Sequence, residues 1–301
     1  MGAHASGIAG NRFPGLARIT GLDPAGPSYE CVSDEEVLDA GDADFVDIIH
    51  SNSGCLSRGH LGYRIPTAHQ NFYVNGGGRQ PGCAPFFIDA VADIIFGGKL
   101  RICHHTRSVE YFLETINSDQ IAQAFSCPDY STFKTGACLG NFRTSFGYPA
   151  SSLISAARHH GPLALFLDTQ GQYPFLSKHI KIGAYLESRG DGRAQGDVEI
   201  LFLLPTQNRK KITLLRYGTN ILHDKLLVNM ITLPIAMDIG SLKVNVAYNL
   251  PVFRRPATND TLQILRIMAV DVTTNDGYCV TSKVSITLSD SIIGRPRKGP
   301  C

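Results

Sequence analysis

The apolar positions of this chain change their rhythm once. In the first part they come as short continuous runs. Ala17–Leu22 and Phe45–His50 are two of these, each bounded by turn residues, the pattern of strands buried on both faces. Residues 1–13 are rich in Ala and Gly and read as a helix able to lie close against a sheet. Phe87, Val91, Ile94 and Ile95 recur at helical spacing with Asp89 and Asp93 opposite, which predicts an amphipathic helix. Residues 108–118 read as a further helix. Residues 51–82 and 127–160 read as loops, apart from a weak helix at 151–158. Past the run Leu163–Asp168 the period becomes two. His179–Tyr185, Val198–Leu204, Lys211–Tyr217, Leu242–Tyr248, Leu262–Met268 and Lys283–Leu288 alternate apolar and polar positions, as strands do at sandwich spacing. The pattern predicts an α/β part over 1–176 and an all-β sandwich over 177–301.

Candidate chemistry sits where the first runs stop. Asp23 ends the run Ala17–Leu22, and Pro24 and Pro27 prevent the strand from continuing. Sites in α/β sheets are built at the carboxyl ends of strands, so Asp23 is placed like a catalytic acid. A lone Asp-Pro is equally a turn former. Cys103-His104-His105-Thr106-Arg107-Ser108 leads into the helical run that starts at Val109. A His at a loop-to-helix junction and an acid at a strand end are two thirds of an acyl-transfer triad. The missing nucleophile belongs on a tight turn ahead of a helix, and Met1–Gly10 is a small-residue helix start.

Met1-Gly2-Ala3-His4 followed by Gly21-Leu22-Asp23-Pro24-Ala25-Gly26-Pro27 resembles the pancreatic lipase family of secreted α/β-hydrolases, and the likeness runs to Cys301. The family pattern is Gly-His-Ser-Leu/Met-Gly-Ala-His, with the Ser as nucleophile. The resemblance implies that Asp23 is the triad acid, His105 the base, and the Met1 backbone N–H one oxyanion-hole donor. The expected fold is the C-terminal part of an α/β-hydrolase domain followed by a PLAT-like sandwich. The expected activity is hydrolysis of ester lipids, in the manner of triacylglycerol lipases, at a lipid–water interface. On that pattern Met1 follows the nucleophile, so the residues printed are expected to be nearly inert and to belong to a longer lipase. Two rivals are a catalytically dead lipid-binding or storage relative and a sandwich acting alone as a surface-binding module. The segment between Cys83 and Cys103 would by pattern pack on a core; the resemblance makes it a lid. Asn71-Phe72-Tyr73-Val74-Asn75-Gly76-Gly77 departs from the family's Asp-Phe-Tyr/Phe-Pro-Asn-Gly-Gly at Asn71 and Val74. His69 reads as structural.

Composition adds compartment and surface. The eight cysteines form no Cys-x-x-Cys pair, and a dispersed even set favours disulfides, hence secretion, over zinc. The resemblance implies Cys83–Cys103, Cys127–Cys138 and Cys279–Cys301, leaving Cys31 with Cys55. Asn259-Asp260-Thr261 is a glycosylation acceptor sequence. The acidic stretch Asp34–Asp44 is either a solvated loop or a calcium loop. The resemblance implies a structural calcium held by the side chains of Asp39 and Asp42 and the carbonyls of Asp34 and Val37. From Ser177 onward 17 Lys/Arg face 10 Asp/Glu, so that half is basic although the whole chain carries only +2. Such a half suits an anionic lipid surface or polysaccharide, or is simply solvated. No run reaches membrane-spanning length, and no nucleic-acid motif, phosphate loop or repeat occurs.

Overall fold

A computed structural model describes residues 1–29, 36–84, 102–151, 161–188, 192–205, 208–221, 226–249, 261–287 and 291–301. The protein is mostly β-sheet with few helices. It divides into two compact units, one of 1–133 with 140–177 and the other of 134–139 with 178–301.

The first unit is built on a six-stranded sheet. Its strands are β1 (Ile19–Leu22), β2 (Val46–His50), β3 (Gln70–Val74), β4 (Gln123–Ser126), β5 (Arg143–Ser145) and β6 (Leu163–Leu167), in the order β1-β2-β3-β6-β4-β5. β1, β2, β3 and β6 run parallel, whereas β4 and β5 are antiparallel additions. β2 is buried at every residue, its polar Asp47 and His50 included. Removing Val46, Ile48 and Ile49 from water contributes about 1.5–3 kcal/mol each. Buried Asp47 on the same strand is held by the Arg18 fork at 2.9 Å to each oxygen, with Thr20 donating at 2.8 Å. Without that partner a buried carboxylate would be strongly destabilising.

Helix α1 (Gly2–Arg12) buries His4, Gly7 and Gly10. A Cβ on Gly7 would meet the Asp42 carboxylate at 2.6 Å, and one on Gly10 would run into the Asp42 carbonyl. The small residues are therefore a condition of the close approach. α1 is latched by His4, whose Nδ1 accepts from Leu38 N–H at 3.1 Å while Nε2 reaches Ala25 O at 2.9 Å. Helices α2 (Cys103–Asn117) and α3 (Tyr130–Lys134) follow.

Several boundaries depart from the sequence pattern. The stretch 51–82, expected as loop, contains β3, because buried Gln70 and Asn71 break its apolar signature. α2 starts at Cys103 and not at Ser108. Its N-cap is Ile102, which makes no side-chain cap bond, so no capping signal marks the start. The expected loop 127–160 contains α3 and β5. The lid segment 85–101, the weak helix at 151–158 and Asn259-Asp260 lie outside the described residues, 151 excepted.

The second unit holds two antiparallel sheets. One has the order β10-β7-β12-β13-β15, from β7 (Ser177–Ser188), β10 (Leu227–Pro234), β12 (Thr261–Asp271), β13 (Gly277–Thr287) and β15 (Arg297–Lys298). The other has the order β14-β11-β8-β9, from β8 (Asp197–Leu203), β9 (Arg209–Leu215), β11 (Lys243–Asn249) and β14 (Ser291–Gly294). Alternate residues of both sheets, among them Ile180, Ile182, Ile200, Phe202, Val244, Val246, Ile264 and Ile267, form one apolar cluster. This is the packing that period-two alternation dictates.

Disulfides join Cys83 to Cys103 and Cys279 to Cys301. Cys127 and Cys138 are disulfide-bonded as well. Cys55 is an exposed free thiol, which corrects the Cys31–Cys55 pairing; Cys31 lies outside the described residues.

Candidate active site

Asp23 follows the last residue of β1. Its N–H still bonds to Ile49 O at 2.8 Å, and its backbone then turns into the left-handed region at φ 47°. Asp tolerates that region better than most residues, and strain of this kind gathers at functional sites. The turn aims a wholly buried carboxylate across the end of β2. Oδ1 accepts from the backbone N–H groups of Ser51 and Asn52, each at 2.9 Å. Oδ2 lies 2.6 Å from His105 Nδ1. A Cβ on Gly62 would stand 2.5 Å from Oδ1, so glycine is what lets the 60–63 segment close over the carboxylate.

His105 is the third residue of α2. With Nδ1–H donating to Asp23, the Nε2 lone pair is left free to accept, and Nε2 has no partner among the described residues. The side chain is 38% exposed. One face of the imidazole pair is therefore buried and fixed and the other is open. Ser108 Oγ donates to the His105 carbonyl at 2.8 Å and Ser51 Oγ at 3.3 Å, fixing the backbone beneath the ring.

Around this pair lies a polar scaffold that the sequence did not disclose. Gln80 donates through Nε2 to Ser51 O and Val74 O at 2.8 and 2.9 Å. Its Oε1 accepts from Asn75 and from Tyr111 OH at 2.8 and 3.0 Å, and its N–H donates to His104 Nδ1 at 2.9 Å. One buried amide thus ties the ends of β2 and β3 to α2. Burial pushes the Tyr111 phenol up to about 12, which keeps it a donor. His50 is enclosed, with Nδ1 3.0 Å from Tyr63 O and its ring stacked on Tyr73; burial holds its pKa below the usual value, against the pull of the Asp23 charge. Asn71, where the family has Asp, donates to Ala68 O and Leu163 O at 2.8 and 3.3 Å. An amide supplies those donors and a carboxylate would not.

Met1 is the N-cap of α1 and is 79% exposed. Among the described residues it makes no hydrogen bond to Asp23 or His105, but the His4 latch ties its helix to Ala25, two residues past Asp23. Asp39 and Asp42 form a capping box around a short turn: Asp39 Oδ1 accepts from Gly41 N–H at 2.6 Å, and Asp42 Oδ2 from Asp39 N–H at 2.9 Å. Burial raises the Asp42 pKa; the Asp39 N–H bond opposes this and the Asp39 charge adds to it. Val37 is buried and Asp34 lies outside the described residues. Among the described residues no group of three or more His, Cys, Asp or Glu is disposed to hold a metal. His69 Nδ1 accepts from Val46 N–H at 3.0 Å, a structural bond.

A buried acid at a parallel-strand end, paired with a half-open imidazole at a helix start, fixes one ring nitrogen and leaves the other able to take up a proton. Residues 1–175 match the family profile described as Lipase, and the chain belongs to the pancreatic lipase family. It is 34% identical over 233 residues to phospholipase A1 member A of Homo sapiens, covering 74% of this chain and 48% of that protein. It is 35% identical over 261 residues to hepatic triacylglycerol lipase of Mus musculus, covering 80% and 48%. It is 36% identical over 195 residues to a putative endothelial lipase of Crotalus adamanteus, covering 62% and 38%. The chain spans about half the length of the relatives it matches most fully. No helix among the described residues is long and apolar enough to cross a membrane.

Proposed function

We propose that the protein is a carboxylic ester hydrolase of glycerolipids working by a Ser-His-Asp mechanism, with Asp23 as acid and His105 as base. The observation that carries this reading is the 2.6 Å contact between Asp23 Oδ2 and His105 Nδ1, with Nε2 left open. A serine hydroxyl placed at Nε2 gives up its proton there as its oxygen attacks the ester carbonyl. The imidazolium, stabilised by Asp23, then protonates the leaving alcohol. The family pattern puts that serine immediately ahead of α1, with the Met1 N–H as an oxyanion donor. Removing such a serine lowers hydrolysis on the order of a million-fold.

The parallel set β1-β2-β3-β6, with the pair at its carboxyl ends, supports an α/β-hydrolase fold for the first unit. Two antiparallel sheets on one core support a PLAT-like sandwich for the second. Disulfides support secretion. The names of the relatives include both phospholipase A1 and triacylglycerol lipase, and an ester of glycerol is the chemistry they share. A structural calcium suits the 39–42 turn chemically, since the Asp39 charge bears on the Asp42 carboxylate there and a cation offsets their repulsion. Asp39 and Asp42 would hold it with the carbonyls of Asp34 and Val37.

The test is hydrolysis of a soluble short-chain ester and of emulsified lipid by the chain carrying the family's Gly-His-Ser ahead of Met1. His105→Ala abolishes both activities, and Asp23→Asn lowers kcat about ten-thousandfold through the wrong tautomer. Activity that survives His105→Ala refutes the assignment. Lipid binding with no hydrolysis by the serine-bearing chain favours an inert lipid-binding relative.

A further inference from the structure

Asn52, the second residue past β2, is bonded through three of its groups. Its N–H donates to Asp23 Oδ1 at 2.9 Å, and its carbonyl accepts from Gly62 N–H at 2.9 Å. Its side-chain Oδ1 lies 3.1 Å from His60 Nδ1. An amide oxygen can only accept, so that nitrogen carries the proton and His60 is the donor. Asn52 is 1% exposed, and its Nδ2 is buried with no hydrogen-bond partner among the described residues. Among those residues His60 therefore supplies the one side-chain bond that orients this carboxamide.

The ring of His60 is itself held. A Cβ at Gly54 would lie 2.7 Å from its Cγ and Cδ2, and one at Gly78 would lie 3.2 Å from its Cε1. Two glycines, one past β2 and one past β3, make room for the ring and clasp it. Burial lowers the His60 pKa; the Arg79 and Arg58 charges add to this, while the Asp23 charge and the bond to Asn52 oppose it. Near neutral pH the ring is an uncharged donor. A chain of hydrogen bonds thus reaches Asp23 through the oxygen that His105 does not use. It runs from His60 Nδ1–H to Asn52 Oδ1 and from Asn52 N–H to Asp23 Oδ1, with His105 on Oδ2.

Removing the His60 donor leaves both ends of a buried carboxamide unpaired, and each group then bears its full desolvation penalty. The side chain turns to find partners, and the peptide that moves with it is the one holding Asp23 Oδ1. We propose that His60 is a positioning residue for the Asp23–His105 pair, acting through Asn52 and making no hydrogen bond of its own to either. The proposal rests on the reading of that pair as acid and base. The competing role is that of a wedge, a ring that only fills the gap between Gly54 and Gly78.

Three variants separate the two roles. His60→Phe keeps a ring in the gap and removes the donor. His60→Asn keeps an N–H₂ donor at the same branch of the side chain and removes the ring. Asn52→Ala keeps the peptide and removes the carboxamide. The first readout is the low-field Nδ1–H resonance of His105 in the 301-residue chain, which needs no hydrolysis. H60F and N52A should both shift or broaden it, and H60N should return most of it. N52A/H60F should be no worse than either single variant, because the two residues act in one chain. The second readout is kcat on a soluble ester with the serine placed ahead of Met1. There H60F should lose roughly ten- to a hundredfold with KM little changed. A wild-type resonance in H60F overturns the proposal and leaves the acid–base reading intact. A resonance kept in H60F and lost in H60N is the signature of the wedge and overturns it as well, as do additive losses in N52A and H60F. Should H60F fail to fold, a wild-type resonance in N52A overturns the proposal equally. Hydrolysis absent from every serine-bearing chain refutes the acid–base reading, while the resonance still decides whether His60 positions the pair.

Discussion

Gly62→Ala tests whether the Asp23 carboxylate is held as tightly as its surroundings indicate. A Cβ at this position would lie 2.5 Å from Asp23 Oδ1, 2.9 Å from its carboxyl carbon and 3.0 Å from the Asn52 carbonyl carbon. Ordinary contacts of that kind need a further several tenths of an ångström. Oδ1 cannot retreat freely, because the Ser51 and Asn52 amides hold it at 2.9 Å on its other sides. Overpacking of this kind costs about 1–3 kcal/mol. Relief moves either the carboxylate away from His105 or the 60–63 segment away from the site. The first route lengthens the 2.6 Å contact with His105 Nδ1. The assay is twofold: melting temperature, and the low-field proton resonance of His105 Nδ1–H. Gly62→Ala should lower the first by several degrees and shift or broaden the second. Gly140→Ala is the control, since a Cβ there meets nothing within 4 Å and should change neither. A Gly62→Ala protein with wild-type melting and an unaltered His105 resonance would refute the argument.

Two further outcomes follow from the same geometry. Burial lowers the pKa of His4, His50 and His60 below 6.5, so the unfolded chain takes up these protons first. Their contribution is complete above pH about 6.5 and declines as pH falls from there toward the folded values, so melting temperature should drop between pH 7.5 and 5.5; a flat or rising profile contradicts this. Calcium at a hundredfold excess over its Kd should stabilise the wild type by about 2.7 kcal/mol and leave D39A/D42A unchanged, and a wild-type melting temperature indifferent to calcium removes the ion from the 39–42 turn.

How far the fold was legible depended on which physical signal each element carries. β1 and β2 announce themselves because each is a short, mainly apolar run bounded by turn residues, although Thr20, Asp47 and His50 interrupt them. The strands of the second unit do so because one face is wet and the alternation shows. β3 is nearly as buried as β2, yet it opens with Gln70 and Asn71, whose amide N–H groups donate to Ser151, Ala68 and Leu163 in bonds that no local pattern reveals. The edge strand β10 and the short β14 and β15 are too weakly patterned to stand out. Asp23 and His105 could be singled out by their places at a strand end and ahead of a helix. Gln80 could not, since its partners come from three separate segments: the ends of β2 and β3 and helix α2.

The adjacent histidines 104 and 105 show what the fold adds to such a reading, because residue type and position give them equal claims to act as a base. Backbone groups decide between them. His104 Nδ1 accepts from Gln80 N–H at 2.9 Å, so its proton sits on Nε2, which lies 3.3 Å from Ala84 O. Both nitrogens are engaged and the ring is a strut. His4 and His69 likewise accept a backbone N–H through Nδ1, from Leu38 and Val46. At His105 the partner of Nδ1 is a carboxylate that can only accept, which reverses the tautomer and leaves the lone pair on the exposed nitrogen. The left-handed turn at Asp23 makes that possible, since it spends Oδ1 on two amides and presents Oδ2 to the helix start. An extended backbone there would carry the carboxylate along the strand axis instead. Replacing Asp23 with Asn offers N–H₂ or O to the ring without the charge, so the tautomer loses its anchor while the fold keeps its β1–β2 ladder.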